Sequence, residues 1–184
     1  QITTLGALRE LAVTLSSADE ITAVAKSVSE AALRIVSADF AALYRYAPQE
    51  EELYLLGEGK EEGAASPQDE ERIAFAKIAH RVALTAETQT FEDMTRLLEK
   101  NLPDTDRRYK SAIAVPILRG FVPNEILLLG YQNPQAFDTR LLNTLSLLSV
   151  QVAGHLDNAI LHERVRDGNN RMRAILDSAR DGII

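Results

Sequence analysis

The stretch Ser111-Ala112-Ile113-Ala114-Val115-Pro116-Ile117-Leu118, then a turn over Gly120-Phe121-Val122-Pro123-Asn124, then Glu125-Ile126-Leu127-Leu128-Leu129-Gly130-Tyr131, decides the fold. Two short apolar runs rich in β-branched and aliphatic residues, bounded by Gly and Pro, are the pattern of a hairpin. Pro116 has no N–H to give to a ladder, so it belongs at a bulge or on an unpaired side of its strand. A second, smaller hairpin is expected upstream, where the aromatic cluster Phe40 to Tyr46 is separated from Leu53 to Leu56 by Pro48-Gln49-Glu50-Glu51-Glu52. Thr88 to Phe91 reads as a short further strand.

Helices surround these strands. Ile2, Leu5, Leu8, Ala12 and Leu15 recur at steps of three and four and form one apolar stripe. Asp19 is placed to cap a second helix whose apolar positions run from Ile21 through Val24, Val28 and Ala32 to Ile35. The acidic stretch Glu58 to Glu70 lacks periodicity and reads as a solvated loop. Ile73, Ala76, Lys77, His80 and Leu84 suggest a third helix, and Met94 to Lys100 a helical turn stopped at Asn101-Leu102-Pro103. Thr139 to Arg166 is a helix of 28 residues, roughly 42 Å long at 1.5 Å per residue. Its first half is apolar on several faces, so it is expected to cover the sheet with one face and a partner helix with another. Gly168-Asn169-Asn170 is expected to break or weaken it, with a new helix starting over Met172 to Ser178. No internal repeat is present.

Composition narrows the function. The 184 residues carry a net charge of −7, which opposes a phosphate backbone and argues against a nucleic-acid partner. No apolar run approaches the roughly 20 residues that cross a bilayer, and no signal segment opens the chain, so a cytoplasmic location is expected. The absence of Cys excludes disulfides, thiolate metal sites, Cys nucleophiles and thioether-linked chromophores. The chain starts at Gln1 and stops at Ile183-Ile184, as an excised fragment would. There is no Gly-rich phosphate loop, no nucleophile triad at motif spacing and no His-rich metal pattern, so the fragment is not expected to be an enzyme.

Three local motifs carry a family resemblance. Ser111 to Ile117 ends in Val-Pro and an aliphatic residue; Ile126 to Gly130 follows as a second strand; and Ala136-Phe137-Asp138 leads through Leu141, Leu145, Leu148 and Gln151-Val152-Ala153 to Asp157-Asn158-Ala159-Ile160-Leu161. Together they resemble a GAF domain over about residues 5 to 165. Ile175 to Ile184 resembles the opening of a PAS domain. The resemblance implies an α+β fold: a central antiparallel sheet with long N- and C-terminal helices on one face, and shorter helices and loops over a pocket on the other. The implied organisation is a linker or dimerisation helix over 1–18, a GAF domain over 19–166 with a C-terminal signalling helix, and the start of a PAS domain over 167–184. It further implies a sensory module of a signalling protein, most often a histidine kinase of a two-component system, that binds a small molecule and passes a signal through its terminal helices. A ligand-free dimerisation spacer and the regulatory part of a cyclic-dinucleotide cyclase or phosphodiesterase are the alternatives. Family specialisations fail here: without Cys there is no covalent bilin, and the cyclic-nucleotide motif is absent, since Asn133 is followed by Pro134, and after Phe137 and three further residues comes Leu141.

The candidate pocket residues are Tyr44, Tyr46, His80, Phe91, Arg107, Tyr109 and Ser111. Aromatic walls with polar tips suit a flat small molecule, though the same residues serve as plain core. Arg107-Arg108-Tyr109-Lys110 is the one dense basic cluster and suits an anionic ligand or a solvated connector. His80 has no second ligand at metal spacing, which argues against haem or metal and for an ordinary half-buried histidine. The cofactor is therefore unknown, and no metal residue is assigned. The expected homodimer and signalling seam comprises Leu5, Leu8 and Leu15 with Leu145, Leu148, Val152, His155 and Leu156. His155 and His162 share one face and suit either a proton-sensitive seam or ordinary helix polarity.

Overall fold

A computed structural model of the chain describes residues 21–94 and 107–181, with no account of the side chains of Glu163 and of residues 167–181. The expected helix over 2–16, with Leu5, Leu8 and Leu15, the Asp19 cap and most of the 94–106 segment lie outside the described residues. The element order is α1 (Ile21–Val36), β1 (Phe40–Ala47), β2 (Glu52–Lys60), α2 (Asp69–Thr85), β3 (Gln89–Phe91), β4 (Ser111–Arg119), β5 (Val122–Tyr131) and α3 (Thr139–Asp181).

The five strands form one sheet in the order β2-β1-β5-β4-β3, and every pairing is antiparallel. Both hairpins fall where the apolar runs put them. Strand β2 runs on to Lys60, past the expected end at Leu56, because it pairs with β1 back to Phe40. Strand β3 begins opposite Ala114, so its pairing does not reach Pro116. At Pro116, β4 therefore has a neighbour on one side only, where a strand proline is tolerated.

Alternation along the strands makes two cores. Ala41, Leu43, Ile113, Val115, Ile117, Leu127 and Leu129 face α1 and α3, whereas Phe40, Ala42, Tyr44, Ala112, Ala114, Ile126 and Leu128 face α2. Adjacent residues of β4 and β5 thus belong to opposite cores, and a displacement of either strand is felt on both faces.

Two expectations about helices need correction. The buried stripe of α2 is Ala74, Phe75, Ile78, Ala79, Val82 and Ala83, while Ile73 and Leu84 point to solvent. Ile78, Val82 and Phe75 fill the contact with the sheet together with three alanines, and Ile73 and Leu84 fall outside that stripe. The break expected at Gly168 is not seen: α3 is continuous for 43 residues, roughly 64 Å. A single helix-interior glycine costs only about 1 kcal/mol relative to alanine and does not end a helix by itself.

Among the described residues no helix is long and apolar enough to cross a membrane.

Candidate functional site

The α2 face of the sheet is floored by small residues, Ala42, Ala112, Ala114 and Gly130, and covered by rings. Phe40 stacks on Phe75 at 5.6 Å between centroids, and Tyr109 meets both edge-on, Phe75 at 5.5 Å and Phe40 at 5.9 Å. A Cβ added at Gly130 would come within 2.9 Å of both Phe75 Cζ and Tyr109 Cδ1. The rings therefore rest directly on the bare backbone of β5, and that close approach is what requires glycine there.

The rim of this face is held by polar contacts. Glu71, fully buried on the first turn of α2, accepts hydrogen bonds from the backbone N–H of Gln68 at 2.9 Å, Arg108 at 2.7 Å and Tyr109 at 2.8 Å. A buried carboxylate needs such donors, and three amides satisfy it without a counter-cation. The Arg108 guanidinium donates to the Ser66 carbonyl at 2.7 Å, and the Tyr109 hydroxyl to the Ala65 carbonyl at 2.7 Å. The segment entering β4 is thus stitched to the start of α2 and to the loop before it. Across the rim, Arg72 of α2 makes a two-pronged pair with Glu58 of β2 at 2.6 and 3.0 Å.

Several residues assigned to a pocket from the sequence do meet on this face, as packed core. Tyr44, Tyr46 and Tyr109 are buried, and His80 is half-buried with its ring edge-on to Tyr46 at 5.6 Å. Burial pushes the Tyr44 and Tyr109 hydroxyls up to about 12. Phe91 is half-buried on the edge strand β3 and packs against the same cluster. Ser111 is turned to the connection after β5, donating to the Asn133 carbonyl at 3.0 Å. Arg107 is half-buried beside the segment that Glu71 clamps. Among the described residues no cluster of three or more His, Asp or Glu is placed to hold a metal ion.

A groove of about 450 Å³ lies on the opposite face, between α3 and the β3–β4 edge. Thr88, Thr90, Val115, Leu142, Ser146 and Val150 are among its walls. No local motif announces it, because a groove between a helix and a sheet edge arises from packing of segments distant in the chain.

The expected seam on α3 also needs correction. Leu145, Leu148, Val152 and Leu156, expected at a partner seam, are fully buried against the domain's own sheet. Each contributes about 1.5–3 kcal/mol there by leaving water, and a side chain committed to this core is not available to a partner helix. His155 is half-buried at the border of that stripe. Near the end of the buried stripe, Asp157 pairs with Arg119 of β4 at 3.2 Å. Arg119 also lies 3.2 Å from Glu125 of β5, a fully buried carboxylate that accepts a hydrogen bond from Arg45 Nε at 3.0 Å. Burial pushes the Glu125 carboxyl above the usual carboxylate range, against the pull of the Arg119 and Arg45 charges.

A five-stranded antiparallel sheet with α1 and the long α3 on one face and α2 over an aromatic cluster on the other defines a class of mixed α/β domain. The GAF domain family matches residues 18–157, and the chain belongs to that family, whose members are typically sensory or regulatory domains of signalling proteins. Solved structures agree on the fold. The GAF domain of a phosphoenolpyruvate-protein phosphotransferase from Coxiella burnetii is similar with a TM-score of 0.66 and 17% identity, over 91% of this chain and 98% of that one. The corresponding Acinetobacter domain gives a TM-score of 0.65 and 16% identity over 85% and 94%. Bacteriophytochrome RpBphP3 from R. palustris gives 0.68 and 14%, covering 94% of this chain and 41% of that longer protein. No curated protein matches the sequence.

Proposed function

We infer that this domain is the sensory module of a histidine kinase of a two-component system. In this reading it receives a small molecule on the α2 face and passes the resulting change to α3, working as a homodimer through its terminal helices, with a PAS domain following. The observation that carries the reading is the alternation along β4 and β5. Ala112, Ala114, Ile126 and Leu128 line the α2 face, while Ile113, Val115, Leu127 and Leu129 pack in the core with Leu145, Leu148, Val152 and Leu156 of α3. A ligand favouring one packing of the α2 face over another shifts the α3 equilibrium by its differential affinity, and such couplings are typically about 1–3 kcal/mol.

A specific observation favours a second reading, a transmission element that takes no ligand. Phe40, Phe75 and Tyr109 already fill the space above Gly130, and the amides of Arg108 and Tyr109 that would suit an anion are taken by Glu71. Native mass spectrometry of the purified chain separates the two, reading bound mass and subunit count together. A retained small molecule supports the sensor reading; bare protein, still bare after incubation with a metabolite mixture, supports the transmission element and overturns ligand sensing.

A further inference from the structure

At the end of the sheet nearest Asp157, three charged side chains stand in one row on the α3 face. Tyr44 and Tyr46 face α2, so Arg45 between them faces α3, where it pairs in register with Glu125 of β5. Beyond Ile117, which flanks Glu125 on the other side, the β4–β5 register slips, and Arg119 follows just past that irregularity. Bulges re-aim side chains. Arg119 Nε lies 3.2 Å from Glu125 Oε2, while its Nη1 donates to Asp157 Oδ1 of α3 at 3.2 Å. Among the described residues Glu71 and Glu125 are the buried charged side chains. Glu71 is satisfied by amides, whereas Glu125 depends on two guanidinium groups, one of which it shares with the helix.

That sharing is incomplete. Glu125 Oε2 and Arg119 Nε are both buried, yet no aligned hydrogen bond spans the 3.2 Å between them, and the aligned bond of the guanidinium goes to Asp157. Arg119 therefore has two placements open to it. Reaching to Asp157 holds the helix and leaves a buried carboxylate oxygen short of a donor, which is costly. Turning wholly to Glu125 satisfies that oxygen and gives up only the pair to Asp157, whose side chain is 52% exposed and whose attraction is weak for that reason. The opposed costs set the two placements close in free energy. The apolar stripe does not fix the axial position of α3 by itself. Leu145, Leu148, Val152 and Leu156 repeat at steps of three and four, so a shift of one turn, about 5.4 Å, sets one aliphatic in the place of another, and apolar burial has no direction. The pair to Arg119 does have one. One turn to either side of Asp157 stand Ala153 and Leu161, whose side chains carry no acceptor.

We propose that Arg119 is a positioning residue that locks α3 to the sheet at one axial register through Asp157, and that its turn onto Glu125 releases the helix. This rests on the reading that the sheet transmits to α3, and it names the contact at which that transmission ends. Selecting one register among similar apolar packings is the best-attested use of a polar contact of this kind. The place suits the role, since Ala159 is the last core residue of α3 among those described and the helix runs on to Asp181. A shift at Asp157 displaces all of the helix that follows.

The chain has no Cys, so spin labels are placed without background on Arg34→Cys of α1 and Leu161→Cys of α3, both exposed, and their separation is read by pulsed electron resonance. With the lock intact one narrow distance is expected. Asp157→Ala and Arg119→Met should each add a second population displaced by up to one turn, about 5.4 Å, while Asp157→Glu keeps the single distance. The urea midpoint of Asp157→Ala should stay at the wild-type value, because a half-exposed pair adds little stability, and this variant decides the matter if Arg119→Met fails to fold. A single wild-type distance in Asp157→Ala would overturn the lock, and so would a second population shared by Asp157→Glu. Gly130→Ala in the labelled chain reports on the underlying reading separately. If Asp157→Ala shifts the helix and Gly130→Ala leaves the distance unchanged, transmission from the α2 face is overturned and the lock stands.

Discussion

The ring of Phe75 rests on the bare backbone of Gly130, so close that a methyl group on that residue would meet Phe75 Cζ at 2.9 Å. Helix α2 reaches the backbone of the sheet here through that ring, and the Tyr109 ring lies equally close. Gly130→Ala is expected to lower stability by about 1–3 kcal/mol through overpacking, read as a drop in urea midpoint. Phe75→Leu should partly restore the double variant, because a smaller side chain frees the space that the added methyl needs. Failure of that rescue would mean that the ring is not what confines Gly130.

Glu71 fixes the approach of the segment that enters β4. Glu71→Ala leaves the buried Tyr109 N–H without its acceptor, which costs about 1–3 kcal/mol for that group alone. Glu71→Gln keeps an oxygen in place and should lose less. Amide exchange at Arg108 and Tyr109 is the direct measurement, with protection falling in the order wild type, Gln, Ala.

The Glu125 carboxyl is raised by burial, so the native state holds its proton more tightly than the unfolded chain does. Its stabilising contribution is present below the ordinary carboxylate value and is lost as pH rises through the raised one. Glu125→Gln removes this dependence. The variant should match wild type near pH 4 and, at pH 7, equal it or exceed it by about 1 kcal/mol, as replacements of buried ion pairs often do. A variant markedly less stable than wild type at pH 7 would show instead that the Arg45 and Arg119 pairings outweigh the burial.

Tyr44 and Tyr109 are pushed up to about 12, and Tyr131 is raised as well. Ultraviolet titration of the folded protein should show these tyrosines ionising well above the ordinary value near 10, and all five doing so near 10 in guanidinium. Stability is therefore expected to fall as pH rises through about 12, when these hydroxyls lose their protons.

What the sequence disclosed followed from how local each signal was. The β4–β5 hairpin was readable from two apolar runs with Gly and Pro between them, and α1 from its period. The face of α2 was not readable, because the large aliphatics Ile73 and Leu84 are exposed while Ala74, Ala79 and Ala83 share the contact with Phe75, Ile78 and Val82. Along α3 the sequence showed aliphatics on more than one side, and only the position of the sheet decides that Leu145 and Leu148 belong to the core and Leu147 and Val150 to the surface. Glu71 was beyond sequence reading for a different reason: its partners include backbone amides 37 and 38 residues away, and backbone amides carry no residue signature. Glu125 likewise stands at the head of an apolar run, with Arg45 80 residues distant.

Transmission from the α2 face to α3 requires the two faces of the sheet to respond together. A double-mutant cycle between Gly130→Ala on the α2 face and Leu148→Ala on the α3 face tests this by equilibrium denaturation. Distant independent sites add to within about 0.5 kcal/mol. The coupled sheet predicts a departure from additivity beyond that limit, whereas additive losses within it would contradict transmission from the α2 face to the signalling helix.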